Sequence, residues 1–535
     1  MNEVGFLLMI CRRICLFLLD CKYQMSSANH NGGRIARNTL ILYVRMLFLL
    51  FVGLYTSRVV LAALGVDDFG IYGVVGGVVA MFTIISGSLS AAITRFIAFE
   101  MGKGEKGRLA TVFSSAVTIQ FIIAALVLVV AEPTGIWFIE NRMNIPADRL
   151  YAAHWVYQFS LLTFLINIIS VPYNASIIAH EKMSAFAVIG IFEGLAKLAV
   201  AFLIMYSPVD RLICYSALMC LVAVAVRLAY TGYCRKHFEE CRFRFIWDKE
   251  SIRQMFSFAG WNFIGVASGA LRDHGGNILI NIFSGPVANA ARAVSVQLGG
   301  AVQSFVTNFM TAVNPQITKS YAAEDREYTM QLVFRSSRYS FFLLLLIALP
   351  VLLNPSYLLD LWLEDVPMHS AAFVCLALLF SLSESISNPL ITLMLATGNI
   401  RRYQIIVGGL QLMNLPVAYL VLKAGAPPQS ILIVSIVISQ ICIFVRLALL
   451  RGMAGLPARR FIREVYLRVI AVFLLAFPLE WWLNSMLGEG LAAFLASCML
   501  SLVITVVIIW TIGVSKDERA FFKAKIRSFI GRKGL

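Results

Sequence analysis

"ATVFSSAVTIQFIIAALVLVVA", residues 110 to 131, is a run of 22 residues without a single charge. As an α-helix rising about 1.5 Å per residue it reaches ~33 Å, enough to cross a hydrocarbon core of about 30 Å. Runs of this kind recur along the whole chain. Hydrophobic residues make up 59% of the 535 positions and charged residues 14%, and the mean hydropathy is +0.80, far above that of a soluble domain. The chain reads as an all-α polytopic membrane protein with no soluble domain left over.

Working outward from that run, hydropathy and turn residues place a first set of six spans near 38–64, 70–94, 110–131, 151–172, 185–206 and 211–234. A second set lies near 256–283, 287–313, 335–354, 371–396, 403–422 and 429–450, and a last pair near 464–484 and 490–513. Arginine and lysine test this count, because cytosolic loops hold the excess of positive charge. With the N-terminus inside, 37 of the 45 fall in inner segments, among them Arg446 to Arg468. Outer turns are acidic or neutral, as in "GVDDFG" (65–70) and "LEDVP" (363–367). The expectation is a multi-pass membrane protein with both termini cytosolic. The net charge of +16 follows this topology, so nucleic acid is not implied.

The organisation expected is two six-helix lobes plus two C-terminal helices. A cytosolic N-terminal segment (1–33, with 1–24 a surface helix or an extension) precedes the first lobe (34–234). A cytosolic linker (235–255) leads to the second lobe (256–450), the last helix pair (451–513) and a basic amphipathic tail (514–535) suited to an anionic leaflet. Each lobe opens on a long span ending in a glycine-containing turn, "LGVDDFG" and "FSGPVAN", which suggests a parallel repeat. The ten cysteines show no CxxC pair and the six histidines do not cluster. No metal site or cofactor is expected.

Against this apolar background "GALRDHGGN" (269–277) puts an arginine, an aspartate and a histidine inside the seventh span. At helical spacing Asn262, Gly265, Gly269, Arg272, Asp273, Gly276, Asn277 and Asn281 share one stripe. A charge at that depth facing lipid costs at least several kcal/mol, so the stripe faces protein or water. Arg272 either lines a cavity or pairs with Asp273 or with a carboxylate on a neighbouring helix. Span eight carries Asn289, Arg292, Gly299 and Gln303 nearly in line, and span one carries Tyr55 and Arg58. Glu193 and Lys197 stand at i and i+4, the spacing of an internal ion pair. Glu384 either titrates or hydrogen-bonds to the hydroxyls around it. Gly275-Gly276, Pro286, Pro315 and Pro389 are either bending points or packing contacts. The balance inside the membrane leans to arginine, whose planar fork binds phosphate oxygens bidentately and suits a phosphate or diphosphate headgroup better than a cationic drug.

On "RNTLILYVRMLF" (37–48), "LYTSRVVLAALGVDDFGIYGVVGGVV" (54–79), "NILINIFSGPVANAARAVSVQ" (277–297), "NPQITKSYA" (314–322) and "LWLEDVP" (361–367), the chain resembles bacterial polysaccharide flippases. These are the O-antigen, Wzx-type branch of the superfamily that also holds the MATE multidrug transporters. The resemblance covers about residues 34–513. It implies a MATE-like bundle of about fourteen transmembrane helices that passes an undecaprenyl-diphosphate-linked oligosaccharide, the repeat unit of O-antigen, capsule or exopolysaccharide, from the inner to the outer leaflet. It also implies a cationic cavity with Arg58, Arg272 and Arg292 on helices one, seven and eight. Partners would be the lipid-linked oligosaccharide, membrane lipids and the polysaccharide polymerase and chain-length machinery, with the protein itself a monomer.

On this reading Asn262, Asn277, Gln303 and Asn308 solvate sugar hydroxyls, and no covalent chemistry is needed. An inside-negative potential favours outward movement of two negative charges by roughly 4 to 5 kcal/mol per 100 mV. Resetting the empty carrier calls for a coupling ion, Na+ or H+, at Asp273 or Glu384. A cation-coupled multidrug antiporter of the same fold is the alternative, but it calls for an acid-dominated, aromatic cavity. A membrane glycan polymerase or ligase calls for a sizeable loop, and the longest outer loop, near 132–150, is only some twenty residues.

Overall fold

The computed structural model describes residues 31–515 and 518–520, apart from 81–82, 105, 142–144, 243–247, 364–365 and 489. Residues 1–24 and most of the amphipathic tail lie outside the described residues. Among these residues every regular element is helical, as hydrocarbon requires of a chain that must satisfy its own backbone polar groups. The helices are α1 (Asn31–Ala80), α2 (Thr83–Lys103), α3 (Lys106–Asn141), α4 (Leu150–Ala179), α5 (Met183–Leu203), α6 (Arg211–His237), α7 (Lys249–Ala322), α8 (Arg326–Leu353), α9 (Pro355–Trp362) and α10 (Ser370–Thr397). Then follow α11 (Arg401–Lys423), α12 (Ser430–Ala454), α13 (Leu467–Asn484) and α14 (Leu491–Ile508).

Each of the fourteen expected spans falls on this helical framework. Ten segments are long and apolar enough to cross a membrane. The second, seventh, eighth and thirteenth spans are not among those ten. The seventh and eighth are the polar-striped halves of α7, whose charged, amide and small polar residues lower their hydropathy.

Two glycines break the long helices. α1 is interrupted at Gly65 (φ 81°, ψ 171°) and α7 at Gly285 (φ 77°, ψ −173°). Both occupy a backbone region open essentially to glycine alone. They stand in "LGVDDFG" and "FSGPVAN", the two glycine-containing turns, and share one backbone conformation. The bend in α7 is therefore at Gly285, not at Gly275-Gly276.

The chain divides into two compact units, residues 1–266 with 311–324, and 267–310 with 325–535. In the first, α4 packs on α1, α2, α3 and α6 around Val127, Val156, Tyr157, Leu161 and Ile168. Tyr157 donates its hydroxyl to the Ala131 carbonyl at 2.5 Å, and its ring lies 2.1 Å from where a Cβ on Gly135 would stand. At one end of this unit Arg149 bridges two acids: its Nε donates to Asp68 Oδ1 at 2.9 Å and its Nη1 to Asp210 Oδ2 at 2.6 Å. Asp210 also caps α6 by accepting from the backbone N–H of Leu212 and Ile213. At the opposite end Glu181, in the left-handed region at φ 58°, turns α4 into α5 and binds the start of α1 and the end of α7. Arg34 lies 2.9 Å from it, Lys319 2.7 Å and Gln316 2.5 Å.

In the second unit α10 packs on α8 and α12, with Ile280, Ala291, Phe373 and Ala418 in one apolar cluster. α13 and α14 are joined by Glu480, a carboxylate 2% exposed that accepts from Ser501 and Thr505. After α14 the pair Ser515 and Glu518 forms a reciprocal capping box, and Glu518 also holds Arg338 at 2.6 Å.

The Arg149 bridge generates a stability prediction. Arg149→Met strands two carboxylates and should destabilise the purified protein by about 2 kcal/mol, the value of a lost hydrogen bond to a charged group. Arg149→Lys should recover less than half, since an ammonium cannot span both acids. Thermal unfolding of the three proteins in detergent measures this, and equal midpoints would refute it.

Candidate functional site

Lipid cannot hydrate a charge, so a charged side chain deep in a span persists where neighbouring helices supply polar partners. In the second unit three helices do so. α10 offers Phe380, Ser383, Glu384 and Ser387 at i, i+3, i+4 and i+7, one face of a helix. α12 offers Ser439, Gln440 and Arg446, and α7 offers Arg272, Asp273, Gly276 and Asn277.

Arg446 is 1% exposed, donating Nε to the Tyr403 hydroxyl at 2.9 Å and Nη1 to Ser387 Oγ at 2.6 Å. The same Nη1 lies 4.0 Å from Glu384, whose other partner is the Ser439 hydroxyl. From Ser439 the network runs to Ser383 at 2.8 Å, to Gln440 at 2.6 Å and to the Tyr466 hydroxyl at 2.8 Å. Glu384 is therefore held by a hydroxyl and by an arginine at once. Counting Arg446 in an inner loop is corrected: it is buried inside α12, seven residues after Ser439.

Arg272 pairs with its chain neighbour, Nε at 3.0 Å and Nη2 at 3.2 Å from the two oxygens of Asp273. Its guanidinium lies over the Phe380 ring, 4.7 Å from the centroid. Arg272 is mostly buried, with 17% of its side chain exposed, while Asp273 keeps 55%. Arg292, 5% exposed, donates to Asn277 Oδ1 at 2.7 Å. Of the two glycines of the motif Gly275 is closely packed: a Cβ there would stand 2.6 Å from Leu415 Cδ2, whereas at Gly276 it would meet the Arg292 guanidinium at an ordinary 3.6 Å. Around this network three arginines, Arg272, Arg292 and Arg446, stand with two carboxylates, Asp273 and Glu384, while elsewhere in the unit Glu480 is buried with two hydroxyls and Arg338 with Glu518.

The remaining predicted residues are placed differently. Arg58 is exposed on α1 in the first unit and forms no ion pair among the described residues. Asn262, buried in the first unit, donates its amide to Ser88 Oγ and to the Ser88 carbonyl, both at 3.3 Å, so that amide joins α7 to α2. Gln303, in the second unit, has a buried side-chain oxygen without a hydrogen-bond partner. Asn308 donates to Ser304 on its own helix. Glu193 and Lys197 form the ion pair their spacing predicts, at 2.6 Å.

Residues 35–321 match the family described as polysaccharide biosynthesis protein. No curated protein matches the sequence. Among solved structures, an outward-facing multidrug resistance MATE family transporter of the MOP superfamily is similar with a TM-score of 0.69 at 12% identity, over 80% of this chain and 96% of that one. A MATE transporter in the bent conformation gives a TM-score of 0.70 at 11% identity, over 79% and 96%. A MOP superfamily transporter from Pyrococcus furiosus, described as having a binding pocket of reverse polarity that suggests a different function, gives 0.67 at 11% identity, over 80% and 96%. These likenesses establish a MATE-like fold.

The buried network makes a prediction of its own. Arg446→Met leaves Glu384 without its cation and should cost about 3 kcal/mol, read as a lowered unfolding midpoint in detergent. The double variant Arg446→Met/Glu384→Gln should unfold at a higher temperature than the single one. If the double variant is the less stable, the two side chains are not coupled.

Proposed function

The chain belongs to the polysaccharide biosynthesis protein family, and on that footing we propose that it is a flippase carrying undecaprenyl-diphosphate-linked oligosaccharide from the inner to the outer leaflet by alternating access. The observation that carries this reading is the arginine surplus in one group of side chains on α7, α10 and α12, Arg272, Arg292 and Arg446 against Asp273 and Glu384. A diphosphate needs planar, bidentate cationic donors. For the Pyrococcus furiosus transporter a reversed pocket polarity suggests a different function, and the same reasoning sets this surplus against the drug-antiporter alternative.

Arg272 and Arg292 are the groups assigned to the diphosphate. Each is held by one neutral or exchangeable partner, Asn277 for Arg292 and the half-exposed Asp273 for Arg272. Asn277 and Gln303 provide hydrogen bonds to sugar, and the lipid tail stays in the bilayer. Arg58, exposed on the first unit, is tested alongside as a further phosphate ligand. Asp273 and Glu384 are assigned to the coupling ion, Na+ or H+. The protein acts as a transporter and forms no covalent intermediate.

In a strain lacking the gene, Arg272→Ala should abolish surface polysaccharide while the protein still accumulates in the membrane. Arg272→Lys should restore it only in part, and Arg58→Ala should weaken export less than Arg272→Ala does. Intact glycan export by Arg272→Ala, with altered drug resistance instead, would transfer the chain to the antiporter class. For coupling, reconstituted protein under imposed sodium and proton gradients should lose gradient dependence in Asp273→Asn or Glu384→Gln. Retention in both variants removes these acids from that role.

A further inference from the structure

At the basic end of the first unit a cavity of about 210 Å³ lies where α1, the α4–α5 turn and the end of α6 converge, with Arg37, Lys182, Ser184, Tyr233 and His237 among its lining residues. That volume is several times the ~30 Å³ a water occupies in the liquid. Arg37 has its Nε buried without a hydrogen-bond partner. His237 donates its Nδ1–H to the Tyr233 carbonyl at 2.9 Å, which fixes the ring and leaves Nε2 for another partner. The one carboxylate in the lining, Glu181, is already occupied by Arg34, Lys319 and Gln316. The neighbouring Glu240 is paired with His180 at 3.0 Å. The cations at the cavity are therefore uncompensated, and the chain's charge bias assigns this end to the cytosolic side.

We propose that this cavity is a phosphate-binding site that takes the headgroup of an anionic phospholipid from the inner leaflet. Arg37 and Lys182 supply charge, Ser184 and His237 supply hydrogen bonds, and Tyr233 forms a wall. The site lies wholly in the first unit and does not depend on the transport reading. Basic recesses between membrane helices at the cytosolic surface meet anionic headgroups at close range, and a headgroup here would tie together three helices.

The test uses the full chain in detergent, titrated with dioctanoyl phosphatidylglycerol while its thermal unfolding midpoint is followed. The wild type should show a saturable rise. Arg37→Gln/Lys182→Gln should need at least about ten times more lipid for half the rise, while Arg235→Gln/Lys236→Gln, two exposed cations on the same helix end, should behave as the wild type. Lys182 is exposed, so Lys182→Gln alone can be purified folded and should show a shift in the same direction. An unchanged lipid response in these cavity variants overturns the site. A rise with sodium phosphate at the same half-maximal concentration would assign the cavity to a soluble phosphate and overturn the lipid source.

Discussion

A polar group inside the hydrocarbon must find its partner in the protein, because water is not there to serve it. That constraint organises this molecule from end to end. It joins α13 to α14 through Glu480 and two hydroxyls, and it ties α10, α11 and α12 through Arg446, Ser387 and Tyr403. It also decides where charge is tolerated without a tie between helices. Glu193 and Lys197 settle each other within one turn, and Arg272 does the same with Asp273. The second pair differs in being lopsided, since the arginine is mostly covered and the aspartate mostly open. An ion pair with one open partner can be exchanged for another anion without first breaking the fold.

Much of this was legible in the residue order. Hydropathy placed the spans on helix, ten of them long and apolar enough to cross a membrane, because a span is defined by length and apolarity, and both are properties of contiguous residues. The stripe around "GALRDHGGN" was legible too, because helical spacing alone places Arg272, Asp273, Gly276 and Asn277 on one face. What stayed hidden depends on rotation and depth. Arg446 stands eight residues before the end of α12, and an arginine so close to an inner loop reads as a loop arginine. Glu480 passed unnoticed beside Trp481 and Trp482, where an acid reads as interfacial. Its partners are 21 and 25 residues away on another helix. Asn262 showed the reverse error: it belongs to the right stripe, yet its amide is spent on Ser88.

The glycines carry a similar lesson. Flexibility and close packing predict the same residue, and only geometry separates them. Gly275 is pressed by Leu415, and both it and Gly276 keep helical backbone. Gly285, ten residues further on, holds a conformation that a side chain would not enter. The polar half of α7 thus keeps helical backbone up to its break at Gly285.

The paired breaks at Gly65 and Gly285 also bear on how the chain is made. In both places the non-helical segment is one residue, so two consecutive helices are linked with almost no slack. During synthesis the leading helix of each lobe cannot settle in the bilayer independently of the helix that follows it, and each couple must leave the insertion machinery as a single hairpin-like package. For α7 this has a particular benefit. Arg292 stands on the second member of that package beside its partner Asn277 on the first, so the package carries its own partner for a buried arginine.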